Sequence, residues 1–269
     1  MTAIGQTLAI NATALLAVIL LLWAYSVKIR DVSFIDAFWA FGMVLLAWAS
    51  WTQSDAPGAL SHVLLGLTTL WGLRLSLHLW TRWRAHGEDP RYEKIMRSVM
   101  EKKGWSWSKT SLRSVFLTQA PLLFITCLPA QLGIAYSDGA NTALGPLAFA
   151  GAIIAIIGIL FETVGDSQLN AFRANPANKG KVLDTGLWRY TRHPNYFGDA
   201  CTWWGIWLIA CETGLAGWIS IIGPIFLTFT LTRWSGKPLL ERGMKKTRPG
   251  YAEYVARTSG FFPLPPKSR

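Results

Sequence analysis

The chain alternates long apolar runs with short polar stretches, and the runs have membrane length. A helical crossing needs roughly 20 mostly apolar residues. Residues 8–27, 114–137, 139–161 and 213–232 carry no charge. Residues 32–54 carry only Asp36, residues 56–81 only Arg74, and residues 193–211 only Asp199. The last two runs are divided by Glu212, Thr213 and Gly214, which suit a tight hairpin; residues 197–232 are too long for one crossing. The pattern therefore predicts an all-α integral membrane protein with seven transmembrane helices. The first run is read as a retained helix, because Lys28 and Arg30 follow it, whereas a secretory signal carries its basic residues in front.

Charge tests this count. Of 26 Lys and Arg, two lie in the first connection, nine between Arg82 and Arg113, five between Arg173 and Arg192, and nine from Arg233 onward. The intervening connections, around 53–59, 135–143 and 212–214, hold none. Thus 25 basic residues fall on alternate connections. The positive-inside rule then places the N-terminus outside and the C-terminus in the cytosol. The same bias accounts for the net charge of +11 without nucleic acid as a partner. Membrane lipids are the expected surroundings, and the oligomeric state is left open. Only 15% of residues are charged, against about 25% in soluble domains, and 51% are hydrophobic, which disfavours a soluble enzyme or a disordered chain. Cys127, Cys201 and Cys211 lie inside runs and offer no metal spacing. No Walker-type loop and no GxGxxG motif is present.

Ionisable groups inside a bilayer are costly and mark candidate sites. Arg74 lies midway along the third run, eight residues before Arg82; at 1.5 Å per residue that is about 12 Å, long for snorkelling. His78 follows four residues later on the same face. Asp36 lies about one turn inside the second run, as a first-turn acid or as a buried carboxyl, protonated or paired with Arg74. Glu162 and Asp166 are four apart near the inner end of the fifth run, followed by Asn170 and Arg173. Acids there oppose the helix dipole and call for a basic group or ligand hydroxyls.

The densest polar stretch runs from Asp166 to Asp199. Lys179, Lys181, Arg189 and Arg192 alternate with Trp188, Tyr190 and Tyr196. Cations suit phosphates and rings suit a stacked base, so the stretch reads as a site for an anionic, aromatic ligand at the membrane surface. The tail, Ser235 to Pro266, suggests a short amphipathic helix around Leu239 to Met244 and a second turn around Tyr251 to Val255, with Glu241 and Tyr254 as ligand candidates.

The run GLWRYTRHPNYFGD, Gly186 to Asp199, resembles the signature shared by membrane steroid 5-alpha-reductases, sterol reductases and isoprenylcysteine carboxyl methyltransferases. Asp166-x-x-x-Asn170-x-x-Arg173 and the closing LLER…GYAEYVARTSGFFP resemble the bacterial steroid 5-alpha-reductase-like group, DUF1295. The motif match covers residues 160–263. The resemblance implies NADPH as cofactor, held in one membrane domain by residues 138–269, with the substrate pocket in residues 1–137. Carried over by motif, Asp166, Asn170, Arg173, Trp188, Tyr190, Arg192, His193, Asn195, Tyr196 and Asp199 line the cofactor. Lys237, Glu241 and Tyr254 close its adenosine and phosphate end, with Lys179 and Lys181 toward the extra phosphate.

The substrate implied is a hydrophobic steroid or sterol-like enone from the bilayer, against Asp36, Trp39, Trp71, Arg74, His78 and Glu162. The family holds the 3-oxo group with a carboxyl on the second helix and a tyrosine on the third. Asp36 matches the first, and the third helix here has no tyrosine. Asp36 and Arg74 are the catalytic candidates for reduction of a 4-ene-3-oxosteroid, in a bacterial inner membrane with the cofactor site facing the cytosol. The same signature also allows an S-adenosylmethionine-dependent carboxyl methyltransferase, from whose Arg-Glu-Glu pattern LLER departs.

Overall fold

A computed structural model describes residues 3–54, 56–137 and 144–267. The chain forms thirteen α-helices among these residues: α1 (Ala3–Ile29), α2 (Ile35–Trp51), α3 (Ala59–His86), α4 (Pro90–Lys103), α5 (Trp107–Ser111), α6 (Leu117–Thr126), α7 (Leu128–Ala135), α8 (Pro146–Ala174), α9 (Pro194–Ala210), α10 (Leu215–Ile219), α11 (Ile222–Phe229), α12 (Lys237–Thr247) and α13 (Tyr251–Arg257). A π-helical turn, Leu112–Phe116, joins α5 to α6, and another, Thr230–Trp234, follows α11. No strand occurs among the described residues; Thr191 and Ser259 form one isolated bridge.

Four helical stretches are long and apolar enough to cross a membrane: Ile4–Ile29, Ala59–His86, Pro146–Ala174 and Leu215–Thr247. A fifth arises if Trp107–Thr126 and Leu128–Ala135, bent by 53° at Cys127, count as one span. Pro129 at the start of α7 cannot donate a helical hydrogen bond, which suits the break. Helix α2 is apolar but has 17 residues, as does α9. The protein is thus an all-helical chain fitted to a membrane. The basic-free fourth connection, around 135–143, lies mostly outside the described residues.

The third connection, expected only to be basic, contains the amphipathic helix α4. Its start is set by Asp89, whose side chain accepts from the Arg91 amide, and by Pro90 at the first helical position. It ends at Gly104, in the left-handed region with φ 63°.

By contacts the chain divides into two units, residues 1–149 with 206–223 and residues 150–205 with 224–269. In the first unit, α2 lies against α3 and α7, around the buried Phe38, Met43, Leu46, Leu64 and Leu123. A buried polar knot ties α1 in. Asn11 Nδ2 donates to Ser50 Oγ (2.7 Å) and Gln131 Oε1 (3.0 Å), and its carbonyl accepts from Gln53 (2.8 Å). Burial of an amide among apolar helices is tolerable only with such partners.

In the second unit α8 and α9 cross backbone to backbone. A Cβ on Gly198 would meet Gly158 O and Glu162 N at 2.5 Å, and one on Gly205 would meet Ala155 N and Gly151 O at 2.5 Å. Small residues are what permit that approach.

Candidate functional site

Asp36 sits in the first turn of α2, a quarter exposed, and donors from α3 and α4 converge on it. The Tyr92 hydroxyl donates to Oδ1 at 2.5 Å. Arg91 Nη2 donates to Oδ2 at 3.0 Å, and Arg82 Nη2 lies 3.7 Å away. Asp89 holds the Arg91 fork through both carboxylate oxygens, at 2.8 to 3.1 Å. Tyr92 is buried, and Gln119 Nε2 approaches its hydroxyl at 3.5 Å. Burial, the Asp36 charge and the hydrogen bond to it raise the Tyr92 phenol well above its ordinary range. Tyr92 therefore keeps its proton at any physiological pH.

Asp36 does lie in the first turn of α2, and the Arg91 and Arg82 guanidiniums stand beside it. A tyrosine does face the second-helix acid, but it comes from α4 and not from the third helix. Sequence reasoning missed Tyr92 by treating its connection as a basic loop. Asp89-Pro90 and Gly104, a cap, a first-turn proline and a terminating glycine, are the signal that marks its helix. Trp71 is fully buried on α3, and Trp39, Arg74 and His78 are partly so. Arg74 and His78 are both engaged in polar or ring contacts.

The second unit builds a separate frame around Arg192. Its Nε donates to Glu241 Oε1 at 2.9 Å, and its Nη1 donates to the carbonyls of Thr258 (2.5 Å) and Val255 (3.2 Å). His193 Nε2 lies 3.1 Å from the same Glu241 oxygen, and its ring stacks on Tyr196 at 5.2 Å and 5°. Glu241 thus joins Arg192 and His193 in one cluster. The turn ahead of α9 is pinned to the tail: Arg192 N donates to Ser259 O (2.9 Å), Thr191 Oγ1 to Phe261 O (2.8 Å) and Leu264 N to Tyr190 O (3.0 Å). Tyr254 donates to Trp188 O at 2.5 Å, and the Trp188 indole to Gly165 O at 3.0 Å.

These partners divide the cradle expected from sequence. Arg192, Trp188, Glu241 and Tyr254 each bond to the protein and act as struts. Asn195 donates to Asp166 on α8 at 3.3 Å, and its side chain in turn caps the Tyr196 amide at 3.1 Å. Glu162, Asp166 and Asp199 are buried, and each is engaged, as are Asn170 and Arg173. Tyr190, Lys179 and Lys181 stay exposed; the Lys181 carbonyl accepts from Arg248. Lys237 Nζ sits 2.5 Å from where a Gly260 Cβ would stand, with Arg192 Nη2 at 3.1 Å from the same point. The two cations thus close over the chain at Gly260, and a Cβ there would displace the Lys237 ammonium.

Beside this frame is an open cleft of about 440 Å³, lined by Asp184, Thr185, Gly186, Arg189, Arg257, Thr258, Pro266 and Lys267. Asp184 pairs with Arg257 across it.

The profile of the family described as "Protein of unknown function (DUF1295)" matches residues 22–258. Among curated proteins, a "Probable O-methyltransferase ustE" of Ustilaginoidea virens is 36% identical over 110 residues, 41% of this chain and 38% of the relative. A "Delta(14)-sterol reductase ERG24A" of Gibberella zeae is 36% identical over 90 residues, 28% of this chain and 18% of the relative. The chain thus spans well under half the length of either relative it matches. No solved structure matches.

Proposed function

The chain belongs to the DUF1295 family, and from that premise we propose that it is a membrane reductase that uses NADPH to reduce the 4,5 double bond of a 3-oxo-4-ene steroid. The observation that carries the proposal is the Tyr92–Asp36 pair, a buried phenol that keeps its proton and rests it on a carboxylate, from which it turns to a substrate oxygen. Such a donor suits the oxygen of an enone, which gains negative charge when hydride adds at the beta carbon. The relative named as a sterol reductase supports the class of reaction.

The second unit offers the groups an anionic nucleotide needs. The exposed cations Lys179, Lys181 and Arg189 and the half-exposed Lys237 suit phosphates, and the exposed Tyr190 ring suits a base. Arg192, Glu241 and Tyr254 hold the loop and tail that carry them. When bound, NADPH supplies the hydride. When substrate binds, the Tyr92 O–H turns from Asp36 to the 3-oxo oxygen and polarises it, while Arg91 and Arg82 hold Asp36 in place. The apolar helices around Trp39 and Trp71 exclude water and strengthen that polarisation. The topology we infer has seven crossings, with α2 and α9 each about 26 Å long at 1.5 Å per residue, near the thickness of a bilayer core. It places the N-terminus outside, the basic connections in the cytosol and the whole in a bacterial inner membrane.

The relative named as an O-methyltransferase supports a second reading, S-adenosylmethionine in the same cradle and a lipid-soluble carboxylate as substrate. Detergent-purified protein decides between them by which ligand raises its melting temperature. NADPH should do so, and NADPH oxidation with testosterone or progesterone should give the 5-alpha-3-oxosteroid. Asp36→Ala should abolish turnover while NADPH still binds; near-normal turnover in that variant, or stabilisation by S-adenosylmethionine alone, overturns the proposal.

A further inference from the structure

Three cations crowd one indole on the connection between α4 and α5. Lys103 Nζ lies 4.4 Å from the centroid of the Trp105 ring, Lys109 Nζ 4.9 Å and the Arg113 guanidinium 5.4 Å. Next to it Arg30 sits 5.3 Å over the Trp107 ring. All four basic residues are exposed, and among the described residues none of them meets a carboxylate. Between Glu101 and Asp138 the chain has no acid at all. Each pairing with a ring is attractive. Together they place like charges at separations comparable to the Debye length of ~8 Å at physiological ionic strength, where they repel. A positive charge density of this kind is held best when an anion enters it.

Two further features point the same way. Arg30 takes φ 58°, the left-handed conformation that ends helices and that glycine adopts at less cost. The strain keeps a guanidinium where a glycine would be cheaper. The continuous helical run Trp107–Thr126 also begins here, so its unsatisfied amides and the positive end of its dipole face the same point. Ser106 covers only the Lys109 amide, at 3.3 Å.

The cluster sits where apolar helices end. The Trp23 indole of α1 donates to Ser108 O at 3.0 Å, which fixes the last turns of α1 beside the start of α5. Tryptophans at that level and cations just beyond it match the border of hydrocarbon and head groups. We propose that Arg30, Lys103, Lys109 and Arg113, with Trp105 and Trp107, form a binding site for the phosphate head group of an anionic phospholipid. The head-group phosphate accepts from the guanidinium and ammonium groups, and the indoles lie along its glycerol and upper acyl carbons. This site is independent of the reductase reading, since none of its residues belongs to the Asp36 or Arg192 clusters.

The test uses the full chain in nanodiscs of phosphatidylcholine, alone or with phosphatidylglycerol, and reads melting temperature. Phosphatidylglycerol should raise it for the wild type and for Lys245→Gln/Lys246→Gln on α12, and most of the rise should vanish in Lys103→Gln/Lys109→Gln/Arg113→Gln. An undiminished rise in the triple variant overturns the site. So does an equal loss in the α12 variant, which would mark a general charge effect. Inorganic phosphate reproducing the rise in phosphatidylcholine discs would identify a free anion site and overturn the lipid assignment. If the triple variant fails to reconstitute, Lys109→Gln alone is compared with wild type by native mass spectrometry. Fewer retained phosphatidylglycerol molecules support the site, and an equal number refutes it.

Discussion

Tyr92 shows how one side chain changes the chemistry open to a site. A carboxylate only accepts hydrogen bonds, whereas a phenol beside it donates one. The raised phenol keeps that donor protonated through neutral and mildly alkaline pH. Under the reductase reading Tyr92→Phe should lower kcat by about 10²–10³-fold, the range seen when one oxyanion donor is lost, and leave NADPH affinity unchanged. Steady-state kinetics with NADPH titration checks both.

Glu241 carries a different consequence. Its Oε1 holds the Arg192 guanidinium and faces His193, and Arg192 in turn holds the tail. Glu241→Gln should therefore melt lower than wild type in detergent, and an unchanged melting temperature would remove the Arg192–Glu241 pair as a strut.

At the scale of elements, the crossing of α8 and α9 depends on residues without side chains. A Cβ on Gly198 would strike Gly158 O and Glu162 N, backbone atoms that cannot swing aside. Gly198→Val should cost about 1–3 kcal/mol or more, the price of overpacking. Gly243, inside α12, has nothing within 4 Å of its Cβ position, so Gly243→Ala should stabilise by ~0.5–1 kcal/mol through helix propensity. Thermal melts in detergent compare the two. Helix α4 makes the complementary point. Its caps and its terminal glycine are local signals legible in the chain, but a reading that follows hydropathy passes over a helix too polar to count as a span. The amphipathic tail helix around Leu239 to Met244 was legible, because α12 repeats its apolar positions at helical spacing.

At the scale of the whole molecule, charge bias is the most open signal in the chain: on the seven-run reading, 25 of 26 basic residues fall on alternate connections. Single cysteines placed at Thr7 and at Ser235 in a cysteine-free background should label differently with a membrane-impermeant maleimide on intact cells. Thr7 should react and Ser235 should not; equal labelling would refute the seven-span arrangement. The buried acids were also legible as exceptions, Asp199 inside an apolar run and Glu162 and Asp166 at the inner end of another.

Their partners were not. Helix periodicity, caps and charge bias act over a few residues, so the chain states them directly: the apolar runs, the basic side, the dense polar stretch before α9 and the membership of DUF1295. Asp36 meets Tyr92 across 56 residues, Arg192 meets Glu241 across 49, and Asn11 meets Gln131 across 120. Such pairs form only after helices have packed. Which of the chain's many cations reaches a given acid is set by how apolar surfaces fit, not by anything written beside either residue.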